Sequence, residues 1–121
     1  MNIQANGSIN SGGLSFTINA HEYEGAISGS LQFTGTAESF SGNFGAELIE
    51  LTESGSGSIT LKTKHFHFAE MGSLHPIMAE ALVILDEVTK EVTLEVFSLA
   101  DNTLLGRFSQ VPETGHVTID K

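Results

Sequence analysis

The chain has 121 residues, with 15 Asp plus Glu against 5 Lys plus Arg, a formal net charge of −10, and no Cys. Without cysteine there are no disulfides, thiolate nucleophiles, iron–sulfur clusters or Cys-type zinc sites. The first Lys or Arg is Lys62, so half of the chain has no such cation to neutralise phosphates, and nucleic acid is excluded as a partner.

At this length one domain, residues 1–121, with one hydrophobic core is expected. The opening Met-Asn-Ile-Gln-Ala-Asn lacks the basic and then apolar stretches of a secretory signal. The longest apolar run, residues 81–85, is too short for a membrane-spanning helix, which needs about 20 residues. The compartment stays open on these grounds.

Alternation of apolar and polar residues at period two, the mark of half-buried strands, runs through most of the chain. Ile3, Ala5 and Ile9 begin it. Asn10-Ser11-Gly12-Gly13 supplies a turn, because Asn and Gly tolerate positive φ. Leu14, Phe16, Ile18 and Ala20 define a second strand, and Ile27, Leu31 and Phe33 a third. A fourth carries Phe40, Phe44 and Leu48, then changes phase at Ile49, which predicts a bulge. The in-strand glycines Gly29, Gly42 and Gly45 predict sharp coiling.

A fifth strand is expected over residues 58–68, then a loop with one short helical turn near 74–80, since Pro76 suits a first helical turn. Further strands are expected over 81–85, 92–96, 104–111 and 116–120. About nine strands on short connections make sequential neighbours antiparallel. A flat sheet of that length would expose two edges, so the expected fold is an all-β, antiparallel up-and-down β-barrel of 8–9 strands, with a two-sheet β-sandwich as the alternative.

Chemistry concentrates in Thr63-Lys64-His65-Phe66-His67-Phe68-Ala69-Glu70. If the phase of Ile59 and Leu61 continues, His65 and His67 face inward. They would then serve as ligand-binding or acid–base groups in a cavity, with His75 and Arg107 as further polar anchors. A phase slip near Thr63 would instead bury Phe66 and Phe68 and send both imidazoles to solvent, and phenylalanine is the stronger burial signal. Arg107 shares a parity with Leu105 and Val111. Inward, it would need a carboxylate partner; outward, it would be an ordinary surface cation.

No Walker loop, dinucleotide fingerprint, Gly-x-Ser-x-Gly elbow or His-Glu-x-x-His is present, and no catalytic set, cofactor or metal site is assigned. The uninterrupted apolar run and the residues following Val96 suggest an outward apolar stripe, with Val83, Leu85, Phe97 and Leu99 as interface candidates. The leading expectation is a non-catalytic acidic β-domain acting by protein–protein binding or self-assembly, its partner itself or another protein. A barrel binding a small apolar ligand, isomerase- or lyase-like with His65 and His67 in its cavity, is the second. An extracellular or virion structural module is the third.

Overall fold

The computed structural model describes residues 1–121. Ten strands and no helix make up the chain: β1 (Asn2–Ile9), β2 (Leu14–Tyr23), β3 (Ala26–Ala37), β4 (Phe40–Glu53), β5 (Ser58–Thr63), β6 (Phe66–Glu70), β7 (Ile77–Asp86), β8 (Val92–Ser98), β9 (Leu104–Gln110) and β10 (Thr114–Asp120). All pairings are antiparallel, in the order β10-β1-β2-β3-β4-β5-β7-β8-β9. β6 stands off this path and pairs with both β4 and β7. The pairings β4–β5, β5–β7, β7–β6 and β6–β4 therefore close a ring of four strands. From that ring β3, β2, β1 and β10 extend one sheet, and β8 and β9 extend the other.

The all-β antiparallel expectation holds, with ten strands rather than nine and with four of them closing the ring. The difference arises because the segment expected as one strand is two. β5 ends at Thr63, and Lys64-His65 steps across to β6. The helical turn expected near 74–80 is absent. Residues 71–76 form a loop, and Ile77 opens β7, where Ile77, Met78 and Ala79 pair with Phe68, His67 and Phe66. Pro76 suits either outcome, and the waiting strand partner decides it.

Local chemistry sets the turns. Glu24 and Gly25 have φ of 51° and 84°, so the two-residue β2–β3 connection has the positive φ values of a type I′ turn, whose twist matches that of the flanking strands. The register shift between Leu48 and Glu50 is the bulge that the phase change predicts. It leaves Ile49 exposed and Leu51 half-buried.

Twenty-six buried apolar residues form one core. Its centre is aromatic. Phe16, Phe33 and Phe44 are cross-strand partners on β2, β3 and β4, stacked at 5.6 Å each. Phe66 continues the row at 4.4 Å from Phe44. Phe40 and Phe108 close it from the side, 6.5 and 6.0 Å from Phe33.

One polar side chain does structural work inside. Thr63 is fully buried where β5 parts from β7; its hydroxyl oxygen accepts the Ala81 N–H at 2.8 Å and its O–H donates to the Ala81 carbonyl at 3.4 Å. The side chain substitutes for a ladder bond that the departing backbone no longer makes. Replacing it with the isosteric Val strands a buried N–H. Thr63→Val is expected to lower the unfolding free energy by about 1–2 kcal/mol, read as a shifted urea midpoint at unchanged slope.

Candidate interaction surface

The slip at Lys64-His65 decides where the imidazoles go. The Lys64 N–H donates to the Glu47 carbonyl at 2.8 Å, which draws the chain onto β4. After two bridging residues, Phe66 takes the next inward position, so Thr63, Phe66 and Phe68 face the core while His65 and His67 are exposed. His65 Nε2 lies 4.0 Å from Glu80 Oε2, and His67 stands opposite Met78. His75 sits in the exposed loop before β7, its N–H donated to Ser73 Oγ at 3.2 Å. Arg107 points outward, its Nε 3.5 Å from Glu95 Oε2 on the neighbouring strand. The inward phase of β9 belongs to Gly106 and Phe108. The four residues do not meet in a cavity, and no three His, Asp or Glu side chains group closely enough to hold a metal ion.

Interface parity is corrected as well. Val83 and Leu85 are fully buried, packed in the core with Ala79 and Ala81. Register with β8 fixes this, since Val83 opposes Leu94 and Leu85 opposes Val92, both buried. The outward residues of β7 are Met78, Glu80, Leu82 and Ile84. Phe97 does face outward, beside Glu80 and half-buried, and Leu99 lies half-buried beyond the end of β8. Across this face Lys62, Leu82, Glu95 and Arg107 form one row, so its apolar side chains alternate with charges.

The other sheet has a different outer face. Gln4, Asn19 and Ser30 align across β1, β2 and β3, as do Asn6, Thr17 and Gln32. This neutral, hydrogen-bonding surface carries two open grooves. One, of about 460 Å³, lies over Gly29 between Asn2, His21 and Thr118; the other, of about 560 Å³, lies over Gly45 between Gln32, Glu47 and His65. Neither has the buried titratable group that an acid–base site needs.

Two turn carboxylates have shifted ionisation. The N–H groups of Thr89 and Val88, donated to Asp86 Oδ1 at 2.9 and 2.8 Å, hold the Asp86 carboxyl below its ordinary value. Thr103 does the same for Asp101. Such carboxylates stabilise the fold above the ordinary carboxylate range, and the contribution is lost as pH falls through their lowered values. Lys121 is raised by Glu87 and then Glu53, which it bridges at 3.1 and 3.5 Å.

The two terminal strands of the sheet order are treated unequally. β9 has β8 on one side only, yet its free edge is occupied by the β3–β4 turn. Ser39 Oγ donates to the Arg107 carbonyl at 2.8 Å, and Glu38 accepts the Ser109 N–H at 3.3 Å and the Gln110 Nε2–H at 3.2 Å. Gly106 lets Phe40 close in behind them, since a Cβ there would lie 3.2 Å from Phe40. β10 has no such cover. Its backbone bonds only to β1. On the side where no β1 residue reaches, a groove of about 260 Å³ runs between Lys90, Val111, Pro112 and Val117.

Against protein-family models, curated proteins and solved structures, the chain has no match.

Proposed function

We propose that this is a non-catalytic acidic β-domain that works by protein–protein binding or self-assembly, through strand addition at the edge of β10. The observation that carries this reading is the contrast between the two terminal strands: β9 is closed by Glu38 and Ser39, while β10 is left open. An unpaired edge presents a row of backbone donors and acceptors that template another strand, and proteins ordinarily blunt it with lysine, proline or cover. Between Thr114 and Asp120 there is no Lys, Arg or Pro, and Lys90 and Pro112, which flank the groove beside the strand, make no hydrogen bond to its backbone. The packed aromatic centre supports the same reading, because a ligand enclosed between the sheets would have to displace it. The outer-face apolar residues Leu82, Ile84 and Phe97 offer the competing contact surface.

The test is light scattering coupled to size exclusion, from micromolar to millimolar chain. Wild type is expected to associate reversibly, and Thr118→Lys, which places a charge on the edge, is expected to remain monomeric while keeping its far-ultraviolet spectrum. Association abolished by Phe97→Glu and untouched by Thr118→Lys would move the function to the outer face and sink the edge reading.

A further inference from the structure

We infer that the strand added to β10 is the β10 of a second copy, in an isologous antiparallel register centred on Thr118. This rests on the edge reading above and names its partner. Gly115, with φ 90°, interrupts the extended backbone near the start of β10, so the straight segment is residues 116–120, His-Val-Thr-Ile-Asp, about 17 Å long. Pairing this segment with itself about Thr118 sets His116 opposite Asp120 of the second copy, Val117 opposite its Ile119, and Thr118 opposite Thr118. The order of residues is self-complementary: opposite polarity at both ends, apolar pairs between, and a hydroxyl pair at the two-fold axis.

The fold puts each of these side chains on the face such a pairing needs. His116, Thr118 and Asp120 share the outer, solvent side, while Val117 is 8% exposed and Ile119 half-buried on the core side. The Val117 and Ile119 pairs would thus extend the core across the two-fold axis, and the polar pairs would extend the neutral outer face. Within one copy, His116 faces Asn6 and Asp120 faces Asn2, and neither forms an ion pair. The neighbouring Lys121 is already engaged by Glu53 and Glu87. An imidazole N–H donates to a carboxylate whether or not the ring is charged, so both His116–Asp120 contacts form with either ring state. Directly opposed side chains on paired strands approach to about 5 Å, where opposite charges attract and like charges repel. A register shifted by one residue either way about the axis would lose both His–Asp contacts. The closed two-fold leaves no further free β10 edge, so assembly stops at the dimer.

Sedimentation equilibrium of the full chain tests this with a charge-swap series. Wild type is expected to form a reversible dimer. His116→Asp, which sets Asp against Asp at both ends, is expected to weaken it about tenfold. The double variant His116→Asp with Asp120→His restores complementarity in the same register and is expected to return association to near the wild-type level. Thermal melting of each variant, expected within a few degrees of wild type, separates this effect from loss of fold. A dimer lost in Thr118→Lys but indifferent to His116→Asp would keep the edge reading and overturn this register. Failure of the swap to restore pairing would overturn it too, as would a strictly monomeric wild type at millimolar concentration.

Discussion

Phe33→Ala is expected to remove about 3–5 kcal/mol of stability, enough to unfold a domain of ordinary stability at moderate temperature. Phe33 is fully buried and stands where the sheets meet. It stacks on Phe16 and Phe44 within its own sheet and meets Phe40 and Phe108 from the side. Its loss takes away both the transfer free energy of the ring and the contacts of four neighbouring rings around the void. Those neighbours lie on three other strands, each held in register, so collapse into the cavity is limited. Urea unfolding followed by fluorescence of the single tyrosine, Tyr23, or by circular dichroism reads the change. Phe33→Leu, which keeps most of the volume, is expected to cost about 1.5 kcal/mol or less. Equal losses in the two variants would show that the ring cluster does not carry the core.

Gly42→Ala is the second large effect, expected at about 3 kcal/mol, the upper end of overpacking costs. A Cβ at this position would lie 2.3 and 2.6 Å from two ring carbons of Phe68, far inside contact distance. Phe68 is itself buried and pressed by Phe40 and Phe44, at 5.9 and 6.1 Å, so the ring cannot swing aside. The glycine is what lets β6 approach β4 closely enough to close the ring, through Gly42 opposite Glu70 and Asn43 opposite Ala69. Gly45, three residues further on the same strand and on its exposed face, is the control. A Cβ there meets nothing nearer than the Leu31 carbonyl oxygen at 3.9 Å. Gly45→Ala is therefore expected to change stability by less than about 0.5 kcal/mol. If the two substitutions melt alike, steric closure at Gly42 is not what matters.

Strand parity carried most of the fold in the letters alone, because one-sided burial writes itself as alternation wherever polar residues interrupt apolar ones. It failed in places that share one physical cause: tertiary contacts override the local pattern. At Lys64-His65 no glycine or proline announces a break. The slip comes from the Glu47 carbonyl and the Thr63 hydroxyl, contacts to distant strands. In residues 81–85 every side chain is apolar, so parity is silent until pairing with Leu94 and Val96 fixes it. At β9 the inward position is Gly106, and a glycine reads as no face at all. Only the nearby Phe40 ring shows that its emptiness is used. The surface was less legible still. Self-complementarity in residues 116–120 is visible in the sequence, but it has no meaning until β10 is known to lie at an open edge.

Pairing of β1 with β10 also shapes how the chain reaches this state. The Ser8–Thr114 contact spans 106 residues, so the sheet gains one of its members only after nearly the whole polypeptide has been ordered. Closing so long a loop has a high entropic cost that local hairpins avoid, which places this protein among slow-folding, high-contact-order topologies. While β10 is still unfolded, β1 is itself an unsatisfied border, and it displays Ile3 and Ala5 without their partners Ile119 and Val117. Until β10 docks, the open side of β1 is thus a place where the folding domain is exposed to aggregation.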